Sequence, residues 1–227
     1  MIRTAAKTGS TNDDLAALAR EGASEGLWLR AERQTGGRGR QGRAWSSPPG
    51  NLYASTLVRL RTGDPPAPTL ALVAAVSLHE AAALYAPGIL IKWPNDLLAG
   101  GAKLSGILLE RADDAVVIGF GLNLAHHPTD TERPATSIAA LAGSAPEPDA
   151  FLEVLADAFA RWLGRWRSDG LTPVRRAWLA AAHPLGTALT AGGEQGLFDG
   201  LDETGALRLR LAGGTLRTVH AGDVFLI

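Results

Sequence analysis

The segment 34–45 constrains this chain more than any other stretch, because four of its twelve residues are glycines and three are arginines. Glycine adopts backbone conformations that other residues avoid, and it loses the most conformational freedom when it is fixed in a helix or a strand. The flanking segments 27–32 and 51–59 have strand-like content. We therefore predict a loop that joins two strands.

The residue types in this loop are those that hold a nucleotide-activated anion. Its glycines allow backbone N–H groups to approach a ligand closely, and its arginines supply planar, permanently charged forks for phosphate or carboxylate. Trp45 offers a flat face for a base. The loop lacks the Gly-Lys-Ser/Thr of phosphate loops and the dinucleotide fingerprint. Composition alone also allows a solvated connector between two strands.

The bulk properties limit the class of protein. With 46% hydrophobic and 20% charged residues, 227 residues form one packed domain, or one domain with a small appendage. A net charge of −1 disfavours nucleic acid as a partner. The absence of cysteine excludes disulfides, thiolate metal sites and a cysteine nucleophile. No signal peptide is evident, and the longest apolar stretch, 70–78, is too short to span a membrane. We expect a cytoplasmic protein.

Hydrophobic periodicity places the remaining elements. It predicts a helix that begins at Ser10-Thr11-Asn12 and ends near Gly22, a buried alanine-rich helix over 68–85, and amphipathic helices over 148–167 and 173–182. Strands are predicted over 89–92, 102–111 and 115–124. Beyond His183, short strands between glycine turns predict a small barrel that docks on the main domain. The expected domains are therefore 1–182 and 183–227.

Two basic segments near the predicted strands carry candidate chemistry. Lys92-Trp93-Pro94-Asn95-Asp96 ends a strand, and an aspartate near phosphates is a natural ligand for Mg²⁺, although Pro-Asn-Asp is also a common turn. Lys103 enters an apolar strand. It either directs its ammonium at a carboxylate or an α-phosphate, or lies at the strand edge in solvent.

Three other groups of residues have both a functional and a structural interpretation. Gly119 and Gly121 lie on one strand face, which favours either close approach of a purine or ribose, or a bulge. The Ser10-Thr11-Asn12 segment either caps a helix or presents short donors and acceptors to an amide- or urea-like group. His126 and His127 lack a third metal ligand, and His79 is more consistent with a structural role.

Taken together and in order, these segments resemble the biotin–protein ligases. Each piece is weak alone, but the ordered set is specific, and the glycine turns of the tail extend the resemblance over nearly the whole chain. The set comprises Ser10-Thr11-Asn12, Gln34, Gly37-Arg38-Gly39-Arg40-x-Gly42-Arg43-x-Trp45, Lys92-Trp93-Pro94-Asn95-Asp96, Lys103-Leu-Ser-Gly106, and Gly119-x-Gly121-x-Asn123.

The resemblance implies an α+β fold. Its catalytic domain would have a central mixed sheet with flanking helices, related to class II aminoacyl-tRNA synthetases and lipoyl ligases, followed by a small SH3-like barrel. The implied reaction joins biotin to a lysine of a biotin carboxyl carrier protein through biotinyl-5'-AMP. Its substrates would be ATP and biotin, with Mg²⁺.

The resemblance also assigns roles to residues. Lys103 and Arg40 would be catalytic, and Asp96 would lie near Mg²⁺. Biotin would be bound by Ser10, Thr11, Asn12, Gln34, Gly37, Arg38, Gly39, Arg40 and Lys103. The adenylate would be bound by Arg40, Arg43, Trp45, Asn95 and Asn123.

Some alternatives remain open at this level. A lipoate–protein ligase shares the fold and the adenylate chemistry, and a non-catalytic protein that only binds biotin is a second alternative. Because the first motif begins at Ser10, the sequence has no room before it for the DNA-binding domain of repressor-type relatives, so we expect a ligase without repressor function. The family's pairing through the central sheet leaves a homodimer open beside a monomer.

Overall fold

A seven-stranded mixed sheet organises the larger part of the chain in the computed structural model, which describes residues 1–131 and 133–226. The strand order is β1-β2-β3-β7-β6-β5-β4. Only β1 and β2 run parallel, and the other neighbours are antiparallel. The strands are β1 Ile2–Ala5, β2 Trp28–Ala31, β3 Leu52–Arg59, β4 Ile89–Lys92, β5 Asp96–Ala99, β6 Ala102–Ala112 and β7 Ala115–Leu122.

One face of this sheet is apolar and covered by helices. Along β7, Val116, Ile118 and Phe120 point into the main core, as alternation in a strand requires. The covering helices are α2 Leu70–Ala83, α4 Pro148–Asp169 and α5 Leu171–Ala181. Ten of the 14 residues of α2 are buried, which confirms the prediction that this helix lies inside the protein.

The opposite face is only partly covered. Helix α1 Thr11–Arg20 packs Leu15 and Ala19 over Leu57 and Val117, forming a second, smaller core. Beyond this helix the same face carries glycines and polar side chains instead of apolar ones. The sheet therefore presents a half-open polar surface beside the N-terminus of α1.

The C-terminal part forms a five-stranded antiparallel sheet in the order β11-β10-β9-β8-β12, as an SH3-like barrel would. Its strands are β8 Ala188–Ala191, β9 Glu194–Leu201, β10 Leu207–Arg210, β11 Leu216–Val219 and β12 Val224–Leu226. This unit docks on the larger one, where Phe198 meets Trp178 of α5 and the Trp93 indole donates to the Gly205 carbonyl at 3.2 Å. The last predicted barrel residue, Ile227, lies outside the described residues.

Three short elements differ from the sequence-based expectation. Strand β1 was not predicted, since three of its four residues are exposed and it carries little apolar pattern. Strand β5 starts at Asp96, where the sequence suggested only a turn, so Trp93 to Asn95 form a tight connection between β4 and β5. Helix α3 Ile138–Ala142, for which the sequence predicted no element, is capped by the Ser137 hydroxyl. Among the described residues, no helix combines the length and apolar character needed to cross a membrane.

Candidate active site

Two neighbouring cross-strand rows of residues form the floor of the site. The first row runs Tyr53, Gly121, Gly106, Asp96 and Lys92 across five strands. The second row, Ser55, Gly119 and Leu108, lies two residues further along the strands, a step of about 7 Å. The register is regular through Gly119 and Gly121, so the interpretation of these glycines as a bulge is wrong.

The segment 34–45, hereafter the glycine loop, folds over the first row. Its ends are joined by hydrogen bonds from Trp45 N to the Gly37 carbonyl and from Gly39 N to the Arg43 carbonyl, at 2.9 and 2.7 Å. A 3-10 turn, Arg40–Gly42, forms its tip. A Cβ at Gly37 would lie 2.9 Å from the Trp45 carbonyl oxygen, so this position needs glycine to close the loop on itself. The loop therefore folds back on itself as a hairpin.

Trp45 lies on the two glycines of the first row. A Cβ would approach its indole to 2.7 Å at Gly121 and 3.3 Å at Gly106. The ammonium of Lys103 is 5.6 Å from the ring centroid, within range of a cation–π contact. Within the described part of the chain, the indole Nε1 is buried and has no hydrogen-bond partner. In this structure, therefore, the group that approaches Gly121 closely is an indole of the protein itself.

Asp96 is the centre of the cationic end of the site. Its buried carboxylate lies 2.8 Å from Lys103 Nζ and 3.1 Å from Lys92 Nζ. Burial alone would raise the pKa of Asp96, but the ammonium groups of Lys103 and then Lys92 outweigh burial and hold the pKa below its usual value. The carboxylate is therefore ionised and positions two lysines, of which only Lys103 was among the predicted site residues.

The barrel contributes to the same end of the site. The Arg40 guanidinium donates to the Gly222 carbonyl at 3.1 Å and lies 3.4 Å from Asn95 Oδ1. The Arg43 guanidinium binds both carboxylate oxygens of Asp223, at 3.0 and 2.9 Å. Two arginines predicted to bind the adenylate are thus held by the turn before β12, a contact that sequence reasoning missed.

The polar end of the site lies over the second row. Ser10 occupies the N-cap position of α1, but within the described residues its hydroxyl makes no capping hydrogen bond. Instead, Thr11 and Asn12 turn into the site, where Thr11 N donates to Gln34 Oε1 at 2.8 Å. A Cβ at Gly119 would overlap the Asn12 carboxamide. The glycine face of β7 therefore makes room for Asn12 at one position and Trp45 at the other.

Arg38 closes this end through two ion pairs. Its guanidinium contacts Asp13 at 2.6 Å and Glu110 at 2.9 Å. The hydrogen bonds to Asp13 and then Glu110 raise the pKa of Arg38 above its usual value. Sequence reasoning missed Ser55 and Glu110, because β3 carries no predicted site residue and Glu110 lies seven positions from Lys103, out of phase with a two-residue strand period.

Asn123 is placed beside the site but is engaged with the backbone. Its Nδ2 donates to the Thr136 carbonyl at 3.0 Å, and its backbone N–H donates to the Leu104 carbonyl at 3.0 Å. The side chain is buried, and the residue as a whole joins the segment before α3 to β6. Its predicted contact with the adenylate remains a prediction.

Two of the histidines make contacts outside the cationic end of the site. The His79 Nε2–H donates to the Ile89 carbonyl at 3.0 Å, and burial lowers the pKa of His79, in line with the predicted structural role. His127 contacts Ser137 at 3.1 Å. In residues 1–131 and 133–226, no three His, Asp or Glu side chains gather as a metal site. An open groove of about 1160 Å³ at the β1 edge, lined in part by Trp28 and Phe159, contains none of the predicted site residues.

Known proteins share this architecture. Residues 7–123 match the biotin/lipoate A/B protein ligase family, and residues 188–227 match the biotin protein ligase C-terminal domain. The chain is 39% identical to "Biotin--[acetyl-CoA-carboxylase] ligase" of Paracoccus denitrificans, over 97% of this chain and 98% of the relative. It is 35% identical to the protein of that name from Mycobacterium tuberculosis, over 96% and 86%. The biotin protein ligase of Aquifex aeolicus in complex with biotin and ATP superimposes with a TM-score of 0.90, at 25% identity, over 100% of this chain and 99% of that one.

Proposed function

Since the chain belongs to the biotin/lipoate A/B protein ligase family, we propose that it attaches biotin to a lysine of a biotin carboxyl carrier domain, using ATP and passing through biotinyl-5'-AMP. One observation carries the proposal beyond family membership. The polar end around Asn12 and the cationic end around Lys103 lie on one sheet face, on rows two residues apart. Biotin has the matching shape, with a cyclic urea at one end and a carboxylate at the other.

The first step joins the carboxylate to ATP. A biotin carboxylate oxygen attacks the α-phosphorus, a new P–O bond forms, and pyrophosphate leaves with the electrons of the broken bond. Lys103 and Arg40 act electrostatically, and their charges become more effective as negative charge develops on the oxygens around the α-phosphorus. Because Arg40 is held by the Gly222 carbonyl in this structure, it has to exchange that partner for the ligand.

The second step transfers the acyl group. The carrier lysine, as the free amine, attacks the acyl carbon of the mixed anhydride, the C–O bond breaks and AMP leaves. No enzyme nucleophile is required, which agrees with the absence of cysteine from the sequence. The glycine loop would close over the intermediate and exclude water.

Mg²⁺ fits this site as a companion of ATP. Asp96 and the Asn95 carbonyl oxygen supply hard oxygen ligands, while two lysines already contact the Asp96 carboxylate. Because two ammonium groups already contact this carboxylate, a cation would bind here only together with the phosphates of ATP, as Mg²⁺ usually does. The ion would neutralise charge on the triphosphate.

The remaining assignments form part of the proposal. The biotin site would comprise Ser10, Thr11, Asn12, Gln34, Gly37, Arg38 and Gly39, and the adenylate site Arg43, Trp45, Asn95 and Asn123, with Arg40 and Lys103 between them. Residues 1–182 would form the catalytic domain and residues 183–227 the barrel. The reaction would take place in the cytoplasm, with the carrier domain as the protein partner.

ATP–pyrophosphate exchange tests the first half-reaction. We expect exchange of labelled pyrophosphate into ATP that depends on biotin, with little exchange when lipoate replaces it. Exchange supported by lipoate and not by biotin would contradict the proposal and favour a lipoate ligase. Binding of biotin without any exchange would favour a non-catalytic binding protein.

A further inference from the structure

A continuous series of hydrogen bonds crosses the polar end of the site and ends on a carboxylate. Ser55 Oγ lies 2.8 Å from Thr11 Oγ1 and 2.6 Å from Asn12 Oδ1. Asn12 Nδ2 then donates to Glu110 Oε2 at 2.7 Å. At its other end the series reaches Gln34, whose Oε1 lies 3.1 Å from Thr11 Oγ1. Thr11, Asn12 and Ser55 are all at least 95% buried, so water does not replace the bonds among these three residues, whereas the Glu110 side chain at the end of the series is 35% exposed.

Glu110 fixes the direction in which the protons of this series point. An ionised carboxylate only accepts, so the Asn12 amide has to present Nδ2 to it; the reversed amide would place two acceptors 2.7 Å apart. Asn12 Oδ1 then faces Ser55 and has to receive the single hydroxyl proton of that serine. The single Thr11 hydroxyl proton then goes to Ser55 Oγ or to Gln34 Oε1, and in either case Thr11 Oγ1 keeps a lone pair free.

This direction determines what the site offers to a ligand. Thr11 Oγ1 supplies an acceptor, and Gln34 Nε2 supplies a donor whose only partner among the described residues is Ser47, at a long 3.4 Å. A cyclic urea has N–H groups and a carbonyl, so this donor and acceptor complement it. The match between this donor–acceptor pair and a cyclic urea depends on Glu110, which lies at the far end of the series.

Glu110 also holds the glycine loop. Its carboxylate oxygens lie 2.9 and 3.2 Å from Arg38 NH2. One side chain on β6 therefore contacts both α1, through Asn12, and the loop, through Arg38. Asp13, the other carboxylate on Arg38, has a 59% exposed side chain. Within the described structure its side chain does not hydrogen-bond to Asn12.

We propose that Glu110 is a positioning residue for biotin: it sets the hydrogen-bond polarity of the Thr11–Ser55–Asn12 series and orients Arg38, and through them it determines affinity for the cyclic urea. This inference rests on the proposed function. It assigns to Glu110 no contact with the reacting atoms. The proposal predicts an effect on biotin binding alone, because the cationic end of the site, which would hold ATP, shares none of these hydrogen bonds.

The test is steady-state exchange kinetics of Glu110→Gln, a substitution that keeps the shape of the side chain. The new amide would turn its oxygen to Arg38 and its NH2 to Asn12, so the Asn12 amide reverses and the proton direction reverses with it. Loss of charge-assisted bonds of this kind raises the KM for biotin about tenfold or more. The KM for ATP and kcat stay within about twofold, because only uniform binding of biotin is removed.

Asp13→Asn is the matched control, since it removes the other carboxylate from Arg38 and leaves the series intact. Its pair is exposed, so the KM for biotin changes less than about threefold. Thermal unfolding of each variant monitors the fold. If Glu110→Gln lowers stability severely, Ser55→Ala interrupts the same series and is expected to give the same rise in the KM for biotin alone.

Three results would overturn the proposal: an unchanged KM for biotin in Glu110→Gln, equal rises in the KM values for biotin and ATP, or an equal effect of Asp13→Asn. The wild-type protein separates this failure from that of the proposed function. If wild-type exchange depends on biotin and the variant behaves normally, only the role of Glu110 fails. If wild-type exchange does not depend on biotin, the proposed function fails and the inference fails with it.

Discussion

The two glycines on the open face of β7 provide a sharp prediction, because the same substitution meets a fixed neighbour at one position and a movable neighbour at the other. An alanine Cβ at Gly119 would overlap Asn12 Oδ1 and lie 3.0 Å from its Cγ. Asn12 is buried at the start of α1 and bonded to Ser55 and Glu110, so it has little room to retreat. An alanine Cβ at Gly121 would lie 2.7 Å from the Trp45 indole, which belongs to the glycine loop.

The expected magnitudes follow from these neighbours. Overpacking against a fixed group costs about 1–3 kcal/mol, and each kcal/mol lowers Tm by about 2–4 °C in a protein of this size. Gly119→Ala should therefore lower Tm measurably. In Gly121→Ala, Trp45 has to retreat by only about 0.7 Å to reach ordinary contact at 3.4 Å, so Tm should change by less than about 2 °C.

The assay is differential scanning fluorimetry of both variants beside the wild type, followed by exchange kinetics. Gly119→Ala should raise the KM for biotin, because it displaces Asn12, whereas Gly121→Ala should act on the KM for ATP, because it displaces Trp45. Equal losses of Tm, or a larger loss for Gly121→Ala, would refute the reasoning that Asn12 is fixed and Trp45 is movable.

Three further predictions address other parts of the site. Lys103→Ala should reduce kcat for biotin-dependent exchange by about 100- to 1000-fold, the usual cost of removing one stabilising charge. Its Tm should fall only modestly, because Lys92 still contacts the buried Asp96 carboxylate; near-normal exchange would remove Lys103 from the chemistry. Asp223→Ala should free Arg43 from the barrel and increase tryptic cleavage of the glycine loop about two- to fivefold, the range expected for a partly exposed ion pair. The control Asp199→Ala removes a barrel carboxylate paired with Arg208 and should leave this cleavage unchanged. Equal effects of the two variants would show that the Asp223 contact does not restrain the loop. Asp96 has a folded-state pKa below its unfolded value of 3.8, so its ionised form contributes stability above that pH, and this contribution is lost as pH falls below it. Asp96→Asn should therefore be less stable than the wild type at pH 7, and the difference in Tm should shrink below about pH 4. A difference in Tm that stayed constant with pH would contradict this role of Asp96.

Much of the site could be predicted from the sequence because its residues occur in short, contiguous motifs. The glycine loop, Lys103 and Asp96 were located by residue type and spacing, and the structure places them on one sheet face. The long helices were also predictable, since α2 and α4 carry sustained apolar patterns. The spacing of apolar residues therefore predicts both the type and the position of such elements.

What the sequence left open depends on contacts between distant segments. Gly119 and Gly121 signal that something approaches, but only the fold identifies it as Asn12 and Trp45. Asp223 lies 180 positions from its partner Arg43, and the glycine turn Ala221-Gly222-Asp223, which resembles the family's barrel, gives no sign of that contact. Glu110 looks like one charged residue near the end of an apolar strand, and its meaning appears only when β6 is aligned beside β7 and α1.

The central claim is that this chain completes the whole reaction, from biotin and ATP to a modified lysine. The most direct test is the intact mass of a purified apo carrier domain after incubation with the enzyme, biotin and Mg·ATP. The account predicts one added biotinyl group, located on a single lysine by peptide mapping and absent when ATP is omitted. An unmodified carrier, while a known biotin ligase modifies the same preparation, would contradict it.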